Sequence, residues 1–150
     1  MIPNSVMSIG SSAFEYCTGL TSMIIPDSVT SIGNSAFLSC SGLTNVTIPN
    51  GVTSIGYKAF YGCSNLTSVT IPYSVTILGE HAFDSCSGMT SVTIGSGVMT
   101  IGYGVFEDCR SLTSVTFLGK TLEQVQNIED GNGNKYYPWG ITNTSIITVA

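Results

Sequence analysis

Hydrophobic and polar residues alternate in short blocks along the chain, and each block carries a readable period. In Leu66-Thr67-Ser68-Val69-Thr70-Ile71, Val69 and Ile71 alternate with Ser68 and Thr70, the period-two signature of a strand with one buried face. Pro72 follows at once and cannot donate to a ladder, so the strand stops there. Val75 and Leu78 turn inward again, and Gly79 is expected to supply a backbone angle that residues with a side chain resist. The Ala82-Phe83-x-x-Cys86 stretch places apolar residues at i, i+1 and i+4, which predicts a short helical or 3₁₀ turn facing the core. The next corner carries Gly19, Gly42, Asn65, Gly88 and Ser111 in successive blocks. Gly and Asn tolerate left-handed geometry, so the first four fit one turn type and Ser111 fits it less well.

The blocks repeat. Cys17, Cys40, Cys63, Cys86 and Cys109 are each 23 residues from the next. Ala-Phe recurs at Ala13-Phe14, Ala36-Phe37, Ala59-Phe60 and Ala82-Phe83, then as Val105-Phe106. Ile-Pro recurs from Ile2-Pro3 to Ile71-Pro72 and decays to Ile94-Gly95 and Phe117-Leu118. One such unit cannot bury its own apolar side, so coils must stack and share a core. At a strand spacing of about 4.8 Å, five coils make a solenoid roughly 24 Å long.

The unit resembles the BspA-type leucine-rich repeat, a 23-residue variety abundant in surface proteins of host-associated anaerobic bacteria and some parasitic protists. The resemblance covers residues 1 to about 118 as five repeats, and the segments Thr121–Gln126 and Tyr137–Ile141 resemble the closing part of such proteins. It implies a curved right-handed leucine-rich-repeat solenoid, with a parallel β-sheet on one face and short strands, 3₁₀ or helical turns on the other. It also implies adhesion to host or matrix proteins, or to another surface protein, and a location at the cell surface or outside the cell.

Solenoid ends need covering, because an end coil exposes a cross-section of the core. Residues 119–150 are expected to form a C-terminal cap of helix, loop and strand. Leu122, Val125 and Ile128 make its apolar helical stripe, Glu129 to Lys135 a polar loop, Ile146 to Val149 the final run, and Trp139 the anchor. The N-terminus carries no equivalent, since Met1-Ile2-Pro3 begins in the middle of a coil. That points to a cut from a longer chain, or to end-to-end self-association through the uncapped coil.

Composition narrows the function. Hydrophobic residues make up 43% and charged residues 9%, against a usual charged share of about 25%. The polar surface comes instead from 21 Ser and 18 Thr. The chain is too apolar and β-branched for disorder, and too poor in Ala, Glu, Lys and Arg for a helical bundle. Four Lys and Arg against nine Asp and Glu speak against a nucleic-acid binder, which needs a basic face. No apolar run reaches the length of a membrane span, and the N-terminus lacks the pattern of a secretory leader.

Candidate chemistry is sparse. The cysteines line up along an axis rather than converging on a point, so they read as small buried hydrophobes, reduced and inert. His81 is the only histidine and falls in a variable pair that reads as a solvated corner. Asp130-Gly131-Asn132-Gly133-Asn134 begins like a calcium loop, but Lys135 and Ile141 stand where Gly and Glu are needed. Asn45, Asn65 and Asn143 open glycosylation triplets that a Thr-rich chain produces by chance. Catalytic, cofactor-binding and metal-ligating sets are therefore not assigned, and no cofactor is expected.

The outward sheet face remains. Ser22, Asn45, Ser68, Ser91 and Ser114 form one row, and Ile24, Thr47, Thr70, Thr93 and Thr116 the row beside it. The nine polar members are the candidate ligand-binding residues, a shallow uncharged docking surface. The charges, among them Glu15, Lys58, Glu80, Asp84, Glu107, Asp108 and Arg110, fall on the opposite side together with Tyr16, Tyr57, Tyr61 and Tyr103. The leading expectation is a non-catalytic binding or adhesion module. A structural spacer without a specific ligand is the alternative, and a water-ordering Thr array is a distant third.

Overall fold

A computed structural model describes residues 2–150; Met1, with which the sequence reading opens the first coil, lies outside them. The chain winds as a parallel β-solenoid of about 5 turns. Each turn contributes a longer strand and then a two-residue strand. The longer strands are β2 (Ser22–Ile24), β4 (Asn45–Thr47), β6 (Ser68–Ile71), β8 (Ser91–Ile94) and β10 (Ser114–Phe117). The short ones are β1 (Ser8–Ile9), β3 (Ser31–Ile32), β5 (Ser54–Ile55), β7 (Ile77–Leu78) and β9 (Thr100–Ile101). Every pairing among these ten strands is parallel and registered one repeat apart, with Ser68 opposite Ser91 and Ile32 opposite Ile55. The short strands form one continuous sheet, whereas the longer ones hydrogen-bond as β2-β4 and as β6-β8-β10. Alternation works as expected: Val69 and Ile71 are buried while Ser68 and Thr70 are exposed.

The third side differs from expectation. Ala-Phe-x-x-Cys is not helical. Each coil there holds two left-handed residues, such as Ser35 (φ 54°) and Ser39 (φ 55°), or His81 (φ 54°) and Ser85 (φ 59°). Amides alternate in use. Ala36 N–H and Cys40 N–H donate three residues back, to Gly33 and Phe37 (3.3 and 3.2 Å). Ser35, Phe37 and Ser39 N–H donate to Tyr57, Ala59 and Tyr61 carbonyls of the next coil (2.8, 2.7 and 2.7 Å). A helix spends its amides internally and could not tie neighbouring coils. The left-handed residues turn every second peptide along the solenoid axis, so this side becomes a third ladder.

Glycine also plays a different part from the one expected. Gly79 and Gly88 have negative φ. They are needed because the coils approach closely: a Cβ on Gly79 would lie 2.6 Å from Gly56 C and Tyr57 N of the coil before. A Cβ on Gly88 would lie 2.5 Å from the Ser64 carbonyl oxygen.

Inside, Phe14, Phe37, Phe60, Phe83 and Phe106 stack in sequence, with centroids 5.1, 5.0, 5.2 and 6.2 Å apart. The cysteines sit beside them, and each thiol from the second coil on donates to a Phe carbonyl of the preceding coil, as Cys63 Sγ does to Phe37 O at 3.2 Å. Cys is thus a small apolar residue that also satisfies a buried acceptor. Among the described residues, those of the first coil are the least covered of the stack. Cys17 is exposed, and Phe14, Leu20 and Met23 are only half-buried around a hollow of about 600 Å³.

Beyond residue 118 the 23-residue spacing is lost but the ladders continue. Helix α1 (Leu122–Gln126) begins at a capping box of Thr121 and Gln124. Val125 and Ile128 are buried, whereas Leu122 is exposed. Glu129 bridges to Thr100 and extends the short-strand sheet. The Trp139 carbonyl accepts from Phe106 N–H at 3.0 Å, as the Ala82 carbonyl does from Phe60. A 3₁₀ turn (Thr144–Ile146) leads into β11 (Ile147–Val149), which pairs with β10. Trp139 is fully buried under the last coil.

Candidate ligand-binding face

Hydroxyls on the strand side fall into two populations. Thr30, Thr53 and Thr76 each donate Oγ1–H to the carbonyl of the residue one repeat earlier, at 3.1, 3.1 and 3.2 Å. Thr44, Thr67, Thr90 and Thr113 do the same at 3.0 to 3.4 Å. These rows lie at the entrances to the strands and clamp one coil to the next.

The rows on the sheet face are different. Alternation in β4, β6, β8 and β10 aims Asn45, Thr47, Ser68, Thr70, Ser91, Thr93, Ser114 and Thr116 outward, and all are accessible, as is Ser22 in β2. Among the described residues Thr116 Oγ1 pairs with Thr148 Oγ1 of β11 at 3.1 Å, while the side chains of Asn45, Thr47, Ser68, Thr70, Ser91 and Thr93 have no partner within the protein. Their donors and acceptors are held on a rigid sheet and remain unused.

A groove of about 460 Å³ lies on this face. It gathers four of the candidate residues, Asn45, Thr47, Ser68 and Thr70. Ser91, Thr93, Ser114 and Thr116 continue the surface past the groove, and Ser22 borders the hollow at the N-terminal end. Asn50, Tyr73, Ser96 and Leu118 also line the groove and were not expected. The signal for three of them is the variable residue in Ile-Pro-x, which is Asn50, then Tyr73, then Ser96 after Ile94-Gly95. Tyr73 is 65% exposed. No charged side chain lines the groove.

The opposite side carries the charges, as expected. Lys58 Nζ lies 5.2 Å from the Tyr57 ring centroid and 4.9 Å from that of Tyr61. Arg110 pairs with Asp108 at 3.2 Å. Asp130 bonds within its own loop: Oδ1 accepts from the Asn132 and Asn134 amides (2.8 and 3.0 Å) and Oδ2 from Asn134 Nδ2 (2.9 Å). Burial pushes the Cys40 thiol up to about 11 and those of Cys63 and Cys109 to about 12, so these groups stay protonated near neutrality. Among the described residues no helix is long and apolar enough to cross a membrane.

Comparison with known proteins agrees with this geometry. A family model described as "BspA type Leucine rich repeat region" matches residues 2–130 in 6 copies. A comparison with curated protein sequences gives no match. Among solved structures, the chain is similar to a leucine-rich repeat protein of T. pallidum, TpLRR, at 34% identity and a TM-score of 0.73, covering 74% of this chain and 52% of that one. It is also similar to a leucine-rich cell surface protein of Faecalibacterium prausnitzii at 33% identity and a TM-score of 0.81, covering 85% of this chain and 34% of that one. The pneumococcal vaccine antigen PcpA, at 24% identity and a TM-score of 0.74, shares the fold over 84% of this chain and 32% of its own. The chain therefore spans between about a third and about half of the length of these proteins. With the repeat matched along most of its length and the coil geometry shared, the chain belongs to the BspA-type leucine-rich repeat family.

Proposed function

We propose that this chain is a non-catalytic binding module of a bacterial surface protein, and that it docks a host, matrix or other surface protein on the sheet face around Asn45, Thr47, Ser68 and Thr70. The observation that carries the reading is the division of the hydroxyls. Those at the strand entrances clamp the coils, while on the face only Thr116 is paired, with Thr148, and the side chains of Asn45, Thr47, Ser68, Thr70, Ser91 and Thr93 have no partner among the described residues. Groups fixed in place without partners lose little freedom when they bond to a ligand. Exposed Tyr73 and Leu118 add apolar area at the groove edge, of the kind that anchors interfaces. The neighbouring cell surface protein of F. prausnitzii supports a surface location. The half-exposed Phe14, Leu20 and Met23, with Ile24 at 73% exposure, support end-to-end association as a further contact, which sedimentation of the Ile24→Lys variant would test.

The test is binding to a panel of immobilised matrix proteins by wild type and Thr70→Tyr. A ring at residue 70 fills the groove without touching the core. The variant is expected to lose at least about tenfold in affinity, about 1.4 kcal/mol, at unchanged melting temperature. If no panel protein binds the folded wild-type chain, the spacer reading replaces this one.

A further inference from the structure

On the side away from the sheet face, three side chains that can ligate a metal meet where other coils carry none together. His81 Nδ1 lies 2.8 Å from Asp84 Oδ2 and 3.7 Å from Glu107 Oε2. One donor atom from each residue lies within 4.8 Å of the others. We propose that His81, Asp84 and Glu107 form a binding site for a divalent transition-metal ion of the zinc type.

The repeat builds the cluster. Asp84 and Glu107 occupy the same position in adjacent coils, so stacking brings their carboxylates onto neighbouring rungs. His81 is left-handed (φ 54°), and its ring turns towards both. At the His81 position the earlier coils have Ser12, Ser35 and Lys58, and at the Asp84 position Glu15, Leu38 and Tyr61. None of those coils offers the three donors at once.

Three observations fit an ion better than a simple ion pair. Asp84 is the buried acidic residue among the described residues, at 6% exposure, and Ser85 Oγ–H holds its other oxygen, Oδ1, at 2.7 Å. That leaves Oδ2 aimed at the cluster, as outer hydrogen bonds do for metal-binding carboxylates. Gly104 (φ 60°) keeps the space open: a Cβ there would lie 2.8 Å from His81 Nδ1 and 2.9 Å from Glu107 Oε2. The donor set itself, one imidazole and two carboxylates, suits zinc and its neighbours better than calcium or magnesium, which take oxygen throughout. Two donors bound at about 2.1 Å lie no more than about 4.2 Å apart. Glu107, whose side chain is 44% exposed, can close the remaining gap by side-chain rotation. Tyr103 and Tyr57 flank the imidazole edge-on, at 5.3 and 6.4 Å. With three protein ligands a position is left for water or a partner's group.

The test titrates Zn²⁺ alone into the Cys17→Ser chain, which removes the exposed thiol as a competing ligand. Calorimetry is expected to show one ion per chain, with Ca²⁺ and Mg²⁺ binding much more weakly. His81→Gln and Glu107→Gln should each weaken Zn²⁺ by more than about tenfold. His81 is the only histidine, so its imidazole ¹⁵N signals report the site directly, and the Nδ1 resonance should move on saturation. Absence of binding, binding by both variants as tight as that of the Cys17→Ser chain, or an imidazole that does not respond would each reduce the cluster to an ion pair and overturn the proposal.

Discussion

At the residue scale, one side chain often does two jobs because its neighbours recur every 23 residues. Cys63 packs beside the Phe stack and donates to a carbonyl. Thr53 covers a strand entrance and clamps the coil before it. Both residue types were legible in the sequence as small, regular and uncharged. Their hydrogen bonds were not, because each partner sits one coil away and depends on the stacking register. The cysteine reading leads to a direct count. Of five thiols, Cys17 alone should react rapidly with Ellman's reagent, and the other four only on unfolding. The same burial sets a pH dependence. The folded chain keeps Cys63 and Cys109 protonated up to about 12, whereas the unfolded chain releases these protons above about 8.5. Stability is therefore full below that value and falls as pH rises through it towards the folded value, by about 1.4 kcal/mol per unit for each thiol. Chemical denaturation at pH 8 and pH 10 would show the loss, and Cys63→Ala should reduce its slope.

At the element scale, the strands were readable because period-two alternation reports directly which face is buried. The turn side was not. Apolar residues at i, i+1 and i+4 suit a helix, and here the same spacing serves tandem turns, because inter-coil bonding through Ser35, Phe37 and Ser39 outweighs local preference. Left-handed Ser, Tyr, Lys and His residues gave no compositional sign of this. Glycine was legible as a special residue, but the cause lies between coils rather than within one. Gly79→Ala should cost roughly 1–3 kcal/mol in thermal or chemical unfolding, since a Cβ meets backbone on the preceding coil. Gly10→Ala is the control at the same repeat position. Nothing lies within 4 Å of its Cβ, so its stability should change by less than about 0.5 kcal/mol. Equal effects at the two sites would assign the glycines to chain flexibility instead.

At the scale of the whole molecule, residues 119–150 continue the ladders of the solenoid rather than covering them with an unrelated unit. Glu129, Trp139 and β11 each take a rung that a regular coil would occupy. Trp139→Ala should therefore cost about 3–5 kcal/mol, and protection from hydrogen exchange should fall first at Phe106 and in β10, whose Phe117 ring packs on Trp139. The outward placement of the rows of Ser, Thr and Asn was legible from strand alternation. Asn50 and Tyr73 escaped notice because the loop after Ile-Pro folds back beside the sheet, a placement that only the coil path reveals. A solenoid whose surface is this uniform concentrates its distinctions in few places: one uncharged face with unused donors, and one charged side where His81 meets two acids.

The most direct measurement is an amide chemical-shift map of the folded chain with a matrix protein that it binds in the panel. The binding-module reading predicts that perturbations centre on Asn45, Thr47, Ser68, Thr70 and Tyr73 and leave Tyr57 to Tyr61 and His81 to Ser85 unmoved. Perturbations centred on that opposite side, with the sheet face silent, would contradict it.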